Sequence, residues 1–391
     1  MDTIYLDHTA TTRPDPRVVA AMQPYFLEHY GNPLSTYSLG DAAREAVDRA
    51  REEVAALVGA SSREIIFTSS GSEANNLAVK GVAWARAGQG KHLVVSAIEH
   101  QSVLNSARAL AKLGWEVTTV AVDHYGLVDP DALKAALRTD TTLVAVNLAN
   151  LEIGTVEPIT ELGKVVRENS RAAFHADAVQ AVGHIPVDVT ALGVDTLSLS
   201  GHRFYGPKGA GALYCRHGVR LTPLIDGGIQ EGGRRAGTEN VPALVGLGAA
   251  AALARAEMGE RSARVRALRD RLHAGLFERI PHLYLNGHPE RRLPTHESIC
   301  VAYVEGEAMI LFLQREGICT SSGSTCSSKA LKASHVLMAC NVPPEIAQGS
   351  LQLTLGPDND EAQIEKVVTT IAEVARRLCA MSPIYPGDTA G

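Results

Sequence analysis

The sequence lacks several features that mark particular classes of protein. Its six cysteines are scattered without the CxxC spacing typical of metal sites, so spacing assigns no metal centre and we expect reduced thiols. No run approaches the ~20 apolar residues that a membrane span needs. The net charge is only −6 with both signs interspersed, which argues against binding to nucleic acid or to a membrane. Residues Met1–Tyr5 have neither a basic nor an apolar region, so we expect no secretory signal and a cytoplasmic location.

The 391 residues are enough to bury a large core, and their hydrophobic pattern predicts an α/β protein. Short apolar runs such as Ile65–Thr68 alternate with helical stretches, which is typical of a mainly parallel sheet covered by helices on both faces. One long Ala- and Arg-rich helix is predicted from Pro242 to about Ile280, a length that usually bridges two domains. We therefore predict a large domain of residues 15–257 and a smaller α+β domain of residues 1–14 and 258–391.

Three polar motifs follow predicted strands. The Gly- and Ser-rich turn Thr68–Glu73 precedes a helix, and free amides at a helix N-terminus bind anions, although most such turns are only turns. His100 follows another strand, where an imidazole can act as an acid or base, stack on a cofactor ring, or simply hydrogen-bond a loop. Asp177 ends a strand at the edge where open α/β sheets bind ligands, although a lone Asp there would more often be a solvated loop acid.

The stretch Ser198–Gly209 carries Ser, Gly, His and a cation at close spacing. Written with Lys in place of Arg203, it resembles the cofactor-anchoring segment of the NifS/IscS cysteine desulfurases, which belong to the class V aminotransferase superfamily. The resemblance extends from Tyr5 to about Leu378, with the family's motifs in order. It implies a fold type I transferase that depends on pyridoxal 5′-phosphate (PLP), with a large sheet domain, a smaller α+β domain and a homodimeric assembly.

The resemblance also implies a role for each motif. His100 would stack on the pyridine ring and act in catalysis, while Asp177 would hold the ring nitrogen protonated and make the ring an electron sink. Gln180 would hydrogen-bond the ring oxygen O3′, and Thr238 would reach the phosphate in the neighbouring subunit. The implied cofactor-binding residues are Gly71, Ser72, His100, Asp177, Gln180, Ser200, His202, Arg203 and Thr238.

Three positions in this implied pocket depart from the family pattern. The tethering Lys is Arg203, whose guanidinium stays protonated and is no imine-forming amine, although it can pair with a phosphate or carboxylate. Lys208 does not replace the tethering Lys, because the family has both. Leu151 stands where the family has a second Asn after Asn150, an implied substrate contact. Gln352 replaces the Arg that grips the substrate carboxylate, a change expected to weaken carboxylate binding by about 1.5–3 kcal/mol.

A Ser- and Gly-rich stretch, Thr320–Ser328, surrounds Cys326. A lone Cys is most often a buried small hydrophobe, but this polar setting argues against burial. The resemblance implies that the Cys326 thiol is catalytic and takes the substrate sulfur as a persulfide. We interpret the other cysteines as structural: Cys215, Cys300, Cys319, Cys340 and Cys379.

These residues leave three hypotheses of function open. The first is a desulfurase-like sulfurtransferase that moves sulfur from L-cysteine or another small sulfur substrate to Cys326, for iron–sulfur cluster or thio-cofactor assembly. Arg203, Leu151 and Gln352 would leave it little ordinary turnover. The second is a non-catalytic homologue that accepts sulfur, binds a scaffold protein, or ligates an iron–sulfur cluster through Cys326. The third is a different reaction on non-covalently held PLP or on another anionic ligand.

Overall fold

A computed structural model describes residues 3–323, 334–383 and 385–386. Cys326, the predicted sulfur carrier, lies outside the described residues. Those residues form one seven-stranded sheet, one three-stranded sheet and one two-stranded pair. The strands are β1 (Ile4–Tyr5), β2 (Ile65–Thr68), β3 (His92–Ser96), β4 (Glu116–Val120), β5 (Thr141–Asn147), β6 (Ala173–Asp177), β7 (Thr196–Ser200), β8 (Gly211–Cys215), β9 (Leu283–Leu285), β10 (His296–Val301), β11 (Ile318–Cys319) and β12 (Ser350–Thr354).

Helices cover these sheets and connect their strands. The α-helices are α1 (Pro16–Met22), α2 (Pro24–Leu27), α3 (Ser38–Val58), α4 (Gly71–Asn76), α5 (Val82–Ala85), α6 (Gln101–Ala111), α7 (Pro130–Ala136), α8 (Ile159–Asn169), α9 (Val189–Leu192), α10 (Val241–Arg279), α11 (Gly306–Arg315), α12 (His335–Ala339), α13 (Pro344–Ala347) and α14 (Glu361–Met381). A π-helical turn, Leu77–Gly81, lies between α4 and α5, and the three segments follow one another without a gap.

The large sheet is mainly parallel, as the sequence predicts. Its strand order is β2-β8-β7-β6-β5-β3-β4, and only β8 runs against its neighbours. Ser200 and Thr68 both pair with Gly211, so the carboxyl ends of β7 and β2 lie at the same edge. The carboxyl ends of β3, β5 and β6 reach that edge as well, because these strands are parallel to β7. One edge of the sheet therefore collects the polar turns that follow five strands.

Helix α10 joins two hydrophobic cores. Its first half, from Val241 to Ala254, packs in the main core with α3, and its second half, from Val265 to Leu276, packs in a second core with α14. Among the described residues, α10 is long and apolar enough to span a membrane, judged by length and composition alone. By this measure, the expectation that no stretch is apolar enough for a membrane span is wrong. Half of its most apolar stretch is buried inside the fold, which is typical of a core helix.

The second core draws on both ends of the chain. Ile4 and Leu6 lie in it with residues 265–379, and β1 pairs in parallel with β11. A few residues after the predicted boundary, such as Leu293 and Val336, instead pack in the main core. The division at residues 257–258 falls within α10 and stays a prediction.

Close packing of α10 on α3 requires a glycine at position 248. A Cβ there would lie 2.5 Å from Ala50 Cα, so we expect Gly248→Ala to lower the free energy of unfolding by about 1–3 kcal/mol. A Cβ at Gly259, on the same helix, would meet no atom within 4 Å. Gly259→Ala should therefore be stabilising by about 0.5–1 kcal/mol. Thermal and chemical denaturation of both variants measure these effects, and equal stability of the two would contradict this packing.

Candidate active site

Asp177 ends β6 at the polar edge of the sheet and is only 5% exposed. Its carboxylate accepts two hydrogen bonds, from Val179 N to Oδ1 (3.0 Å) and from Asn75 Nδ2 to Oδ2 (2.7 Å). Gln180 is also buried, three residues further along the same turn. The structure thus holds a carboxylate in a fixed orientation at the position predicted from the sequence.

The first turn of α4 lies beside this carboxylate. Ser70 caps the helix by accepting a hydrogen bond from Glu73 N at 3.1 Å. A Cβ on Gly71 would come within 2.6 Å of Val179 Cγ2 and 3.4 Å of Ser200 Cβ, so the turn packs directly against the ends of β6 and β7. Ser72 follows and is exposed. Amides in a first helical turn have no partner within the helix, so this turn can bind an anion.

His100 lies close to the same carboxylate and caps α6. Its Nδ1 lies 2.7 Å from Ser102 Oγ and accepts from Ser102 N at 3.2 Å. Burial lowers the pKa of His100, while the charge of Asp177 raises it and the charge of Arg203 lowers it. Both charges therefore act on the imidazole, and the three predicted site residues share one environment.

Arg203 ends the 3₁₀ turn Gly201–Arg203 that follows β7. The carbonyl of His202 accepts from Thr12 N (2.9 Å) and Thr12 Oγ1 (3.0 Å), and His202 Nδ1 lies 3.1 Å from Thr11 Oγ1. The carbonyl of Arg203 accepts from His184 Nε2 at 2.8 Å. Atoms Nε and Nη1 of Arg203 are shielded from solvent. The N-terminal segment thus fixes the turn that carries the guanidinium.

The charge of Arg203 affects the pKa values of neighbouring residues, among them Asp7 and His202. Burial raises the pKa of Asp7, and hydrogen bonds from Ser321 and Thr9, together with the charge of Arg203, oppose the rise. Burial lowers the pKa of His202 to about 4, and Arg203 contributes to that shift. The guanidinium therefore lies close enough to Asp7, His100 and His202 for its charge to act on all three.

Gln352 lies near Asp7, and Ser321 links the two residues. Its backbone N donates to Ser321 O at 2.7 Å, and Ser321 Oγ donates to Asp7 Oδ1 at 2.8 Å. On β12, Gln352 is on the face opposite Leu351 and Leu353, which lie in the second core. Ser321 therefore links the backbone at position 352 to Asp7, on which the charge of Arg203 also acts.

Asn150 holds the turn that carries Leu151. Its Nδ2 donates to Ile98 O at 2.9 Å, and its Oδ1 accepts from Glu152 N (2.8 Å) and Ile153 N (3.0 Å). These contacts all go to backbone atoms. The substrate contact expected for Asn150 stays a prediction, whereas its part in shaping the turn is direct.

Comparisons with known proteins agree on the family. The model of the aminotransferase class-V family matches residues 4–367. The chain is 49% identical to "Cysteine desulfurase IscS" of Methanosarcina thermophila over 98% of this chain and 95% of the relative. It is also 49% identical to "Cysteine desulfurase IscS" of Dictyoglomus turgidum over 97% and 96%. This chain belongs to the class-V aminotransferases.

Solved structures support the same placement. A "NifS-like protein" superposes with a TM-score of 0.91 at 35% identity, covering 96% of this chain and all of that one. A NifS-like protein from Rickettsia africae gives a TM-score of 0.87 at 33% identity, over 96% of this chain and 99% of that one. The fold type I architecture and the NifS/IscS resemblance predicted from the sequence are therefore confirmed.

Two ion pairs of this class-V aminotransferase hold the loop that carries Thr238, which is exposed. Arg51 donates to both carboxylate oxygens of Glu231 at 2.6 and 2.7 Å, and Arg235 Nε donates to Glu73 Oε1 at 2.8 Å. A cleft of about 220 Å³ separates this loop from the turn that precedes α4. Sequence reasoning missed both pairs. The partners are 180 positions apart in the first pair and 162 in the second, and no sequence pattern links residues so far apart.

Glu152 lies between the two described ends of the chain that flank Cys326. Ser334 Oγ donates to Glu152 Oε2 at 2.6 Å, and an added Cβ at Gly323 would collide with Glu152 Oε1. Burial raises the pKa of Glu152 to about 7, which the bond from Ser334 opposes. Both ends of the segment that carries Cys326 therefore converge on one buried carboxyl group.

Sequence reasoning also missed that Glu99 is a fully buried acid. Its Oε1 accepts from Ser96 Oγ and Asn147 N, both at 2.6 Å, while Oε2 has no hydrogen-bond partner among the described residues. Burial raises its pKa to about 8; the bond from Ser96 opposes the rise and the charge of Asp177 adds to it. Glu99 is therefore mostly protonated at neutral pH. The position was visible in the sequence, but its burial was not.

Glu99 makes the stability of the protein depend on pH. Because its folded-state pKa lies above the unfolded one, its contribution is complete below about pH 4.5 and is lost as the pH rises to about 8. Glu99→Gln mimics the protonated form, so we expect its stability relative to wild type to rise by up to about 1.4 kcal/mol per pH unit across this window. Denaturation at several pH values measures it, with the exposed Glu161→Gln as control. Parallel curves for wild type and Glu99→Gln would contradict the assignment.

Proposed function

We propose that this protein mobilises sulfur as a cysteine desulfurase-like sulfurtransferase that binds PLP without a covalent bond. The single observation that carries the proposal is the cradle at the carboxyl edge of the sheet. It combines the buried, doubly hydrogen-bonded carboxylate of Asp177, the first turn of α4 and the imidazole of His100. The two relatives that are 49% identical to this chain are named cysteine desulfurases, which agrees with the proposal.

The residues of the cradle fit PLP as a ligand. The first turn of α4, with Gly71 and Ser72, offers backbone N–H groups to a phosphate, and Ser200 and His202 lie at the end of the neighbouring strand. Asp177 offers a carboxylate to a pyridinium nitrogen, and Gln180 offers an amide to the ring oxygen. When bound, PLP supplies an electron sink for the Cα of an amino acid.

Arg203 does not fit a covalent attachment. A guanidinium stays protonated at neutral pH and does not serve as the amine of an imine. Its charge acts on Asp7 and His100, so it lies where it can attract the carboxylate or phosphate of a bound ligand. The clamp that the family has at position 352 is a neutral amide here. We propose that Arg203 supplies the missing positive charge at the expense of the tether.

The sulfur step uses Cys326 as the acceptor. Its thiolate would form an S–S bond to the sulfur of L-cysteine as the C–S bond breaks, and the electron pair left on carbon would take up a proton to give alanine. The described residues on either side of Cys326, Gly323 and Ser334, both lie against Glu152. We further propose a cytoplasmic homodimer, in which Thr238 serves the neighbouring subunit.

A second candidate function follows from the same guanidinium. Without an amine at position 203, the protein would be a non-catalytic homologue that accepts sulfur, binds a scaffold protein, or ligates an iron–sulfur cluster through Cys326. Among the described residues, no group of three or more His, Cys, Asp or Glu side chains is arranged to hold a metal ion. In this candidate, Cys326 would be a ligand of the cluster.

Restoring the amine should restore turnover. We expect wild-type protein with PLP to release little alanine from L-cysteine. Arg203→Lys should release about a hundredfold more, the usual contribution of a positioned proton-transfer group, and should gain an imine absorbance. Alanine assay and absorption spectroscopy measure both. Fast, steady alanine release by the wild type would contradict the proposal.

Two cysteine variants separate the candidate functions in the Arg203→Lys background. Cys326→Ser should abolish protein-bound persulfide, measured with labelled cysteine, whereas Cys319→Ser on β11 should retain it. Failure of Arg203→Lys to bind PLP or release alanine, together with iron or persulfide on wild-type Cys326, would favour the non-catalytic candidate instead.

A further inference from the structure

Asn75 is a buried polar node between the sheet and α6, and it is only 1% exposed. Its Nδ2 donates to Asp177 Oδ2 at 2.7 Å and to Ser102 Oγ at 2.8 Å. Its Oδ1 accepts from Ser198 Oγ and lies 3.1 Å from His175 Nε2. Both hydrogens and both lone pairs of the amide are therefore used.

The directions of these bonds follow from the chemistry of the groups. A carboxylate oxygen only accepts, so the amide nitrogen of Asn75 must face Asp177. The same nitrogen donates to Ser102 Oγ, which lies 2.7 Å from His100 Nδ1. Ser102 N also donates to this Nδ1 at 3.2 Å. The Nδ1 atom therefore accepts, and the neutral ring carries its hydrogen on Nε2.

This chain of bonds settles what the imidazole can do. Burial, the first cause, lowers the pKa of His100, so the ring is neutral near pH 7. A neutral ring with hydrogen on Nε2 gives a hydrogen bond to an oxygen or an anion, and it cannot take up a proton at that nitrogen. His100 is thus a donor toward a ligand, which narrows the roles that the sequence left open.

We infer that Asn75 is a positioning residue which, through Ser102, couples the Asp177 carboxylate to the His100 imidazole and leaves Nε2–H as the donor available to a bound ligand. The identity of that ligand, PLP, rests on the proposed function. The hydrogen-bond chain itself does not, because it is complete among the protein's own side chains. Asn75 lies 102 residues from Asp177 and 27 from Ser102, so no local motif marks it.

Nitrogen-15 NMR of histidine-labelled, cofactor-free protein tests this inference. We expect wild-type His100 to carry its hydrogen on Nε2 at pH 8. Asn75→Asp keeps the size of the side chain but removes the amide hydrogens, so the Ser102 hydroxyl must turn to the new carboxylate. His100 Nδ1 then keeps only the bond from Ser102 N, so the nitrogen-15 shifts of His100 should change and its pKa should rise. PLP should bind about tenfold more weakly, the scale of one hydrogen bond to a charged group.

Asn76→Asp is the matched control, since it makes the same charge change on the same helix. Asn76 Nδ2 donates to Ser72 O and contacts neither His100 nor Asp177 in the described hydrogen bonds. Its His100 signals should equal those of the wild type. Hydrogen on Nδ1 in the wild type would overturn the inference, as would an Asn75→Asp protein with unchanged His100 nitrogen-15 shifts, pKa and PLP affinity.

Variants of Ser102 keep the inference testable if Asn75→Asp does not fold. Ser102→Ala retains the backbone donor but breaks the link to Asn75, so PLP affinity, measured by equilibrium dialysis, should fall about tenfold. Ser102→Thr restores the hydroxyl and should restore the affinity; equal affinities of Ser102→Ala and wild type would overturn the inference. A wild type that shows Nε2–H but binds no PLP would refute the proposed function and leave the hydrogen-bond chain intact.

Discussion

A guanidinium that cannot lose its proton occupies the turn after β7, and the chemistry of the pocket depends on that constraint. Two residues of the N-terminal segment, Thr11 and Thr12, fix this turn through their hydrogen bonds to His202, which precedes Arg203. Its charge opposes the burial-driven rise in the pKa of Asp7 and reinforces the neutral state of His100. Burial is the main cause of these shifts, and the charge of Arg203 acts on the carboxyl group of Asp7 and on the imidazole of His100.

The contacts of Asp7 connect the strand that carries Gln352 to the region on which the charge of Arg203 acts. Asp7 forms an isolated parallel β-bridge with Thr354, and Ser321 links Asp7 to the backbone of Gln352. The family pattern would place a positive charge on β12 at position 352. Here residue 352 is a neutral amide, and the positive charge lies at position 203, in the turn that follows β7. The pocket thus retains a guanidinium, but at the place where a tether would stand.

Strand direction could be predicted from the sequence because it follows from short apolar runs separated by helices. That direction puts Asp177, His100 and Ser200 at one edge, and the structure agrees. The partners that orient these residues could not be predicted. Asn75 meets Asp177 across 102 residues and Arg51 meets Glu231 across 180, and hydrophobic periodicity carries no information on such contacts. The burial of Glu99 could not be predicted either, because it depends on contacts with distant residues such as Asn147.

The central claim is that this pocket holds PLP without a covalent bond. Intact-protein mass spectrometry after incubation with PLP and reduction with borohydride tests it most directly, alongside equilibrium dialysis of the same untreated sample. We predict saturable binding by dialysis and an unchanged protein mass after reduction. A mass increase that maps to a lysine in the pocket would contradict the claim.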